Sequence, residues 1–303
     1  MAISRAQQLK QLLPGLNALF GLEYKQYAEE HKDLYEAASS DRSFEEDTKL
    51  YGFGAAPVKK EGVGVTYDNA GELWTARYTH ETIATGFAIT EEAMEDNLYA
   101  SVSARYTKEM AKAMAYTKQV KAVYPFNNGF TTTYKSGDGE NLFDTDHPLA
   151  TGGTISNRPT TGADLNETSL EAACISIAKW TNERGLLLSA RPMKLIIPVD
   201  YSFTAVRILQ SELRTGTADN DPNALRVSGA IPQGFAINHF LTDTNAWFLK
   251  TDITNGAKHF TRVGIKTAME GDFDTGNVRY KSRERYSFGF SDYLSYYGSP
   301  GAS

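Results

Sequence analysis

The chain has 303 residues, of which 41% are hydrophobic and 12% aromatic, with 17 tyrosines and 15 phenylalanines. That composition excludes a disordered protein and is rich in the side chains that dominate cores and interfaces. Its net charge of -6 is spread along the sequence without blocks of one sign, which excludes a basic nucleic-acid tail and a polybasic membrane anchor.

The length is slightly beyond a single-core domain, so one elaborated domain or two closely joined ones is expected. The one cysteine, Cys174, falls in an apolar helical pattern and reads as a core thiol of a protein assembled in a reducing cytoplasm. No run approaches about 18 apolar residues, and Arg5, Gln7, Gln8, Lys10 and Gln11 interleave the N-terminal leucines. Neither a membrane span nor a signal peptide is expected.

In residues 1–48, Leu9, Leu12, Leu13 and Leu16 recur at helical spacing, but Pro14 and Gly15 interrupt them, so the segment reads as an arm. From Glu61 to Thr90 the period becomes two. Val63, Val65 and Tyr67 alternate, Asp68-Asn69-Ala70-Gly71 supplies a turn, and Leu73 to Tyr78 forms a second run, which predicts a long β-hairpin. A lone two-stranded ribbon is at best marginally stable in water. Tyr67, Asp68, Asn69, Leu73, Trp74 and Tyr78 are therefore candidates for contact with another subunit.

Thr90 is positioned to cap a helix with Glu91, Glu92, Glu95 and Asp96 in its early turns and Lys108, Lys112, Lys118 and Lys121 later, the order that suits the helix dipole. With no Gly or Pro before Pro125 it is predicted to run roughly 34 residues, about 50 Å at ~1.5 Å per residue. Met94, Leu98, Val102, Tyr106, Met110 and Met114 recur every fourth residue, so the expected apolar stripe winds around the helix instead of forming a coiled-coil seam.

Residues 126–166 read as loops. A compact α/β unit follows: a helical face of Leu170, Ala173, Cys174, Ile177 and Thr181, a buried strand from Lys194 to Val199, and a helix capped by Asp200 with Phe203, Val206, Leu209 and Leu213 on one face. After a polar loop from Thr215 to Asn223, short strands are predicted at Phe235–Ile237 and Ala246–Leu249, and the tyrosine-rich C-terminal stretch is β-like.

Reactive constellations are sparse. The five histidines are scattered, and Asp144-Thr145-Asp146-His147 resembles a ligand run but precedes Pro148 in a turn-rich region. Asp219, Asp221 and Asn223 begin like a calcium loop, yet Ala224 and Ala230 occupy the positions that need Gly and Glu. Gly52-Phe53-Gly54 and Gly62-Val63-Gly64 are too short for a dinucleotide fingerprint. No catalytic, metal or cofactor-binding residue is assigned. The clearest oddity is Val278–Phe290, which as a strand places Val278, Tyr280, Tyr286, Phe288 and Phe290 on one face and Arg279, Lys281, Arg283 and Arg285 on the other. Three readings of the cations stand: a solvated sheet edge, a ladder of ion pairs to a neighbouring subunit, or a surface toward packaged nucleic acid.

An arm, a long ribbon, a spine helix, an inserted α/β unit and a returning strand resemble, in that order, the α+β architecture of tailed-phage and herpesvirus major capsid proteins. Pro192-Met193-Lys194-Leu195-Ile196-Ile197-Pro198, then Ala205, Ile208-Leu209 and Ser211, then Trp247-Phe248-Leu249 and the tail from Arg283 to Tyr297, are similar to the Mu-like major head subunit. The resemblance implies an arm at 1–48, an extended loop at 49–88 reaching over a neighbour, a peripheral domain at 89–143 and 263–303, and an axial domain at 144–262. It implies a non-enzymatic shell protein, without cofactor, that assembles with itself as hexamers and pentamers around double-stranded DNA. Portal and decoration proteins are further implied partners, and the virion is the implied location. Two departures bear on this: no long scaffolding segment precedes the arm, which implies a separate scaffold, and residues 61–88 contain no lysine for covalent cross-linking. An encapsulin-like nanocompartment is the alternative within the fold, and a soluble enzyme or binding module the alternative outside it.

Overall fold

The computed structural model describes residues 5–90, 92, 99–214, 221–272 and 275–302. Helix α1 (Arg5–Gln26) continues through Pro14, a correction to the expected break. A proline inside a helix costs about 3 kcal/mol. Tertiary packing offsets it here, since Leu16 and Phe20 are buried against Met110, Ala111 and Met114 of the long helix and Lys108 pairs with Glu23 at 2.8 Å. After a single turn, α2 (His31–Leu34), the chain forms β1 (Glu36–Ser39) and then the ribbon strands β2 (Phe44–Tyr51) and β3 (Gly71–Thr79), and β3 leads into β4 (Glu81–Ile89).

The long helix α3 (Tyr99–Asn127) takes Pro125 into its last turn. Thr90 and Glu92 are described and exposed, but Glu91, Glu95 and Asp96 of the expected acidic first turns lie outside the described residues, as do Met94 and Leu98. The buried face steps by three and four, through Ser103, Thr107, Met110, Ala111, Met114, Ala115, Lys118, Gln119, Ala122, Val123 and Phe126, while Tyr106, expected on it, is 54% exposed. Met110 and Met114 of the expected fourfold stripe are buried, but Tyr106 is not, and the rest of the face is built largely of alanine and polar side chains, which carry no hydropathy signal.

Two sheets frame the molecule. Strands β10 (Ala257–Gly271) and β11 (Val278–Phe290) join β1 and β4 in the order β1-β10-β11-β4, with α1 and α3 beneath. The second sheet holds β7 (Pro192–Ile197), β8 (Phe235–Ile237), β9 (Trp247–Thr251) and β12 (Tyr296–Ser299) in the order β12-β9-β7-β8. Between them in sequence lie the short pair β5 (His147–Pro148) and β6 (Thr154–Ile155) and helices α4 (Glu167–Ala178), α5 (Ser202–Gln210) and α6 (Ala224–Ser228). One apolar core spans both sheets around Phe126, whose ring lies 5.2 Å from Phe248, 5.5 Å from Phe290 and 5.0 Å from Tyr296.

Two further expectations are corrected. Helix α4 ends before Thr181, which instead bridges to Leu187 across the turn at Gly185. Helix α5 follows a 3-10 turn at Val199–Tyr201, and Asp200 makes no cap; Ala205 and Ile208 face inward, leaving Phe203 79% exposed.

Candidate assembly surfaces

The ribbon is real, but its strands are not the expected ones. β2 pairs with β3 from Phe44 opposite Thr79 to Tyr51 opposite Gly71, and residues 52–70, including the run predicted as the first strand, form an extended tip without a regular strand. β2 was hidden by its polarity, Phe44-Glu45-Glu46-Asp47-Thr48-Lys49-Leu50-Tyr51, because its charges are paired inside the subunit. Lys258 binds Asp47, and Lys49 binds Asp292. The loop so bounded carries Lys59 and Lys60 at its exposed tip, so the absence of lysine noted for 61–88 does not describe it.

The base of the ribbon is fixed to its own subunit. Trp74 stacks on Tyr293 at 5.8 Å, and His147 stacks on Tyr293 at 3.7 Å and 3°. Trp74 Nε1 donates to the Ser291 carbonyl at 3.4 Å, and Gly137 is where it is because any Cβ there would meet the Trp74 ring at 2.0 Å. Tyr78, 3% exposed, shares a hydrogen bond of 2.5 Å with Ser291, whose hydroxyl donates to Asp47 at 2.6 Å. Trp74 and Tyr78 thus spend their surface within the chain, and Leu73 is half-buried beside them.

The tip is different. Val58 is 94% and Tyr67 93% exposed, and Val63, Val65 and Asn69 are also exposed. Among the described residues an ion pair ties the tip down: both Asp68 oxygens accept from Arg184 Nη2 at 2.7 Å, while the amides of Gly54 and Asn69 each donate to Asp68 at 2.8 Å. The Gly54 amide first, then Arg184, holds the Asp68 carboxyl below its usual range.

Strand β11 shows the expected alternation, but it is a central strand between β10 and β4 and not an edge. The solvated-edge reading is thereby corrected. Beneath the sheet, Val278, Tyr280, Ser282, Glu284 and Tyr286 are buried; Lys118 reaches Glu284 at 2.6 Å, and Tyr24 donates to the same carboxylate at 3.0 Å. On the outer face Arg279 pairs with Asp272 at 2.5 Å, Arg285 is half-buried, and Lys281 and Arg283 project with no ion partner among the described residues. Arg283 lies directly across from Lys266 on β10, a like-charge pair that costs stability unless an anion covers it.

The ligand-like run around His147 is structural. His147 is fully buried, its Nδ1 2.5 Å from Asp138 and its Nε2 3.2 Å from Asn157, and Asp144 accepts from Asn141 at 2.7 Å. Among the described residues no group of three or more His, Cys, Asp or Glu is arranged to hold a metal, and no helix is long and apolar enough to cross a membrane. Cys174 is half-buried, and burial pushes its thiol up to about 11, away from reactivity.

A spine helix under a long-stranded sheet, a projecting ribbon and a second sheet sharing the same core define a shell-building subunit. The chain belongs to the phage capsid protein family, whose model matches residues 73–298. No curated protein matches it in sequence. In fold it is similar to the virus-like particle of Pyrococcus furiosus, at TM-score 0.55 and 8% identity over 94% of this chain and 98% of that one. It is likewise similar to the capsid of Myoviridae phage XM1, at 0.53 and 9% over 88% and 89%, and to the procapsid of bacteriophage JBD30, at 0.50 and 16% over 98% and 76%. It is a structural capsid protein.

Proposed function

We propose that the chain is the major head subunit of a tailed phage, assembling as hexamers and pentamers into a closed icosahedral shell around double-stranded DNA and catalysing no reaction. The observation that carries this reading is the exposed apolar tip beyond a firmly anchored ribbon base: Val58, Val63, Val65 and Tyr67 stand in solvent on a single subunit and call for a second. Lys281 and Arg283, uncovered beside Lys266, fit an acidic surface on a neighbour better than DNA, because a subunit of net charge -6 repeated over a shell repels the genome. The Mu-like head subunit, with separate scaffolding and portal proteins and assembly in the host cytoplasm, is the particular form proposed. Electron microscopy of the purified chain, with and without scaffold, tests it. Closed shells of uniform diameter are expected; shells that enclose a cargo enzyme in place of DNA in their source cell would favour the nanocompartment reading, and dispersed monomers under every condition would refute both.

A further inference from the structure

The β2–β3 ladder is interrupted at Lys49. Its register shifts between Thr48, opposite Thr75, and Leu50, opposite Glu72, so that Leu73 and Trp74 both stand across from Lys49. A bulge of this kind re-aims a side chain. Here the Lys49 ammonium, half-buried, donates to Oδ2 of Asp292, which is buried in the turn after β11. The other carboxylate oxygen, Oδ1, accepts from the Leu294 amide at 3.1 Å.

A third ionisable group shares this site. Lys49, Asp292 and Glu183 line one hollow of about 220 Å³, walled otherwise by apolar side chains that include Leu188, Ile253 and Leu294. Glu183 is buried in the turn closed by Thr181 and Leu187, and its Oε2 accepts from the Ala150 amide at 3.1 Å. It has no cation within ion-pair distance among the described residues. Burial raises its carboxyl above the usual range, with Lys49 opposing the rise and Asp292 adding to it. Glu29, Asp47 and Asp68, the other displaced carboxyls among the described residues, all move down. An amine, a carboxyl in contact with it and a second carboxyl biased toward its protonated form are the groups that an amide condensation needs.

We propose that Lys49 and Asp292 condense within the folded chain to an isopeptide bond, with Glu183 passing the protons. Glu183 takes a proton from the ammonium, and the neutral Nζ attacks Cγ of Asp292. The Nζ–Cγ bond forms, the Cγ–Oδ2 bond breaks, and Oδ2 leaves as water, both of whose hydrogens come from Nζ by way of Glu183. Glu183 ends as it began, and no oxidant or co-reactant enters. Oδ1 remains as the amide oxygen, and the Leu294 amide already on it faces the negative charge that builds there during attack. The product would tie the base of the ribbon to the turn after β11. It joins no two subunits, and each chain reacts once, so no substrate is turned over.

The intact mass of the purified, denatured wild-type chain tests the proposal, whether or not shells form. A mass one water below that of the sequence is expected, with a branched peptide joining Lys49 to Asp292 after digestion. The full sequence mass would overturn it. So would a water loss that persists in Lys49→Arg or maps to another residue. Glu183→Gln should fold like the wild type by circular dichroism and keep the full mass; a folded Glu183→Gln chain that still lost the water would overturn the role given to Glu183.

Discussion

Lys118 and Glu284 lie almost wholly out of solvent between α3 and the sheet, with Tyr24 on the second carboxylate oxygen and the Tyr286 ring 5.2 Å from the ammonium. Removing one member strands a buried charge, so Lys118→Met is expected to cost the free subunit about 3–5 kcal/mol, while Lys118→Met with Glu284→Leu restores much of that. Urea unfolding of the two variants measures the difference, and equal losses would contradict the assignment. Next to this pair, His31 and His259 meet edge to face at 5.2 Å, and the His31 ring accepts a hydrogen bond from Gln119 at 3.0 Å. Burial, reinforced by Lys118, lowers His31 to about 4 and His259 to about 3. Their unfolded forms take up protons below the ordinary value of 6.5, whereas the folded forms resist until the lowered values are reached. The stabilisation from the neutral rings is therefore complete above that ordinary value and declines as the pH falls toward 4. Unfolding midpoints across this window should fall for the wild type and fall less for His259→Phe, which keeps the 4.4 Å stack on Phe288; an identical pH slope would contradict it.

At the scale of elements, the ribbon divides at about Tyr51 and Gly71. Hydrogen exchange on free subunits should find β2 and β3 protected, because Trp74, Ala76 and Tyr78 pack on the core, and residues 52–70 unprotected; uniform fast exchange across 44–79 would contradict the anchored base. The ribbon also shows what sequence can and cannot convey. The alternation of β11 was legible because one face is buried beneath α3 and the other is cationic. Val63, Val65 and Tyr67 were equally legible as a strand pattern, but a period of two states only that a segment has two unlike faces, and not which chain supplies the pairing. β2 was illegible because its burial is partial and its charges Asp47 and Lys49 are neutralised by Lys258 and Asp292, partners more than 200 positions away in sequence. The inward face of α5 was missed for a related reason: Ala205 is smaller than Phe203, and hydropathy ranks the exposed side chain above the buried one.

For the whole molecule, the order arm, ribbon, spine, inserted unit and returning strands was readable, since each boundary is a change of period or a cluster of turn residues. The shared core around Phe126, which makes the two sheets one body, was not, because it joins residues from four separate stretches of chain. Lys281→Glu with Arg283→Glu should leave the subunit folded by circular dichroism and yet impair shell formation, since exposed pairs worth about 0–1 kcal/mol each act repeatedly around a closed shell. A variant that built normal empty shells and failed only on DNA packaging would transfer these cations to the genome-facing side.

The most direct measurement of the central claim is the particle mass of the purified wild-type protein by light scattering after size separation, with scaffold supplied. A monodisperse species of a few hundred subunits, in exchange with or derived from smaller oligomers, is the expected result, and a mass that stays at 33.4 kDa under every assembly condition would contradict it.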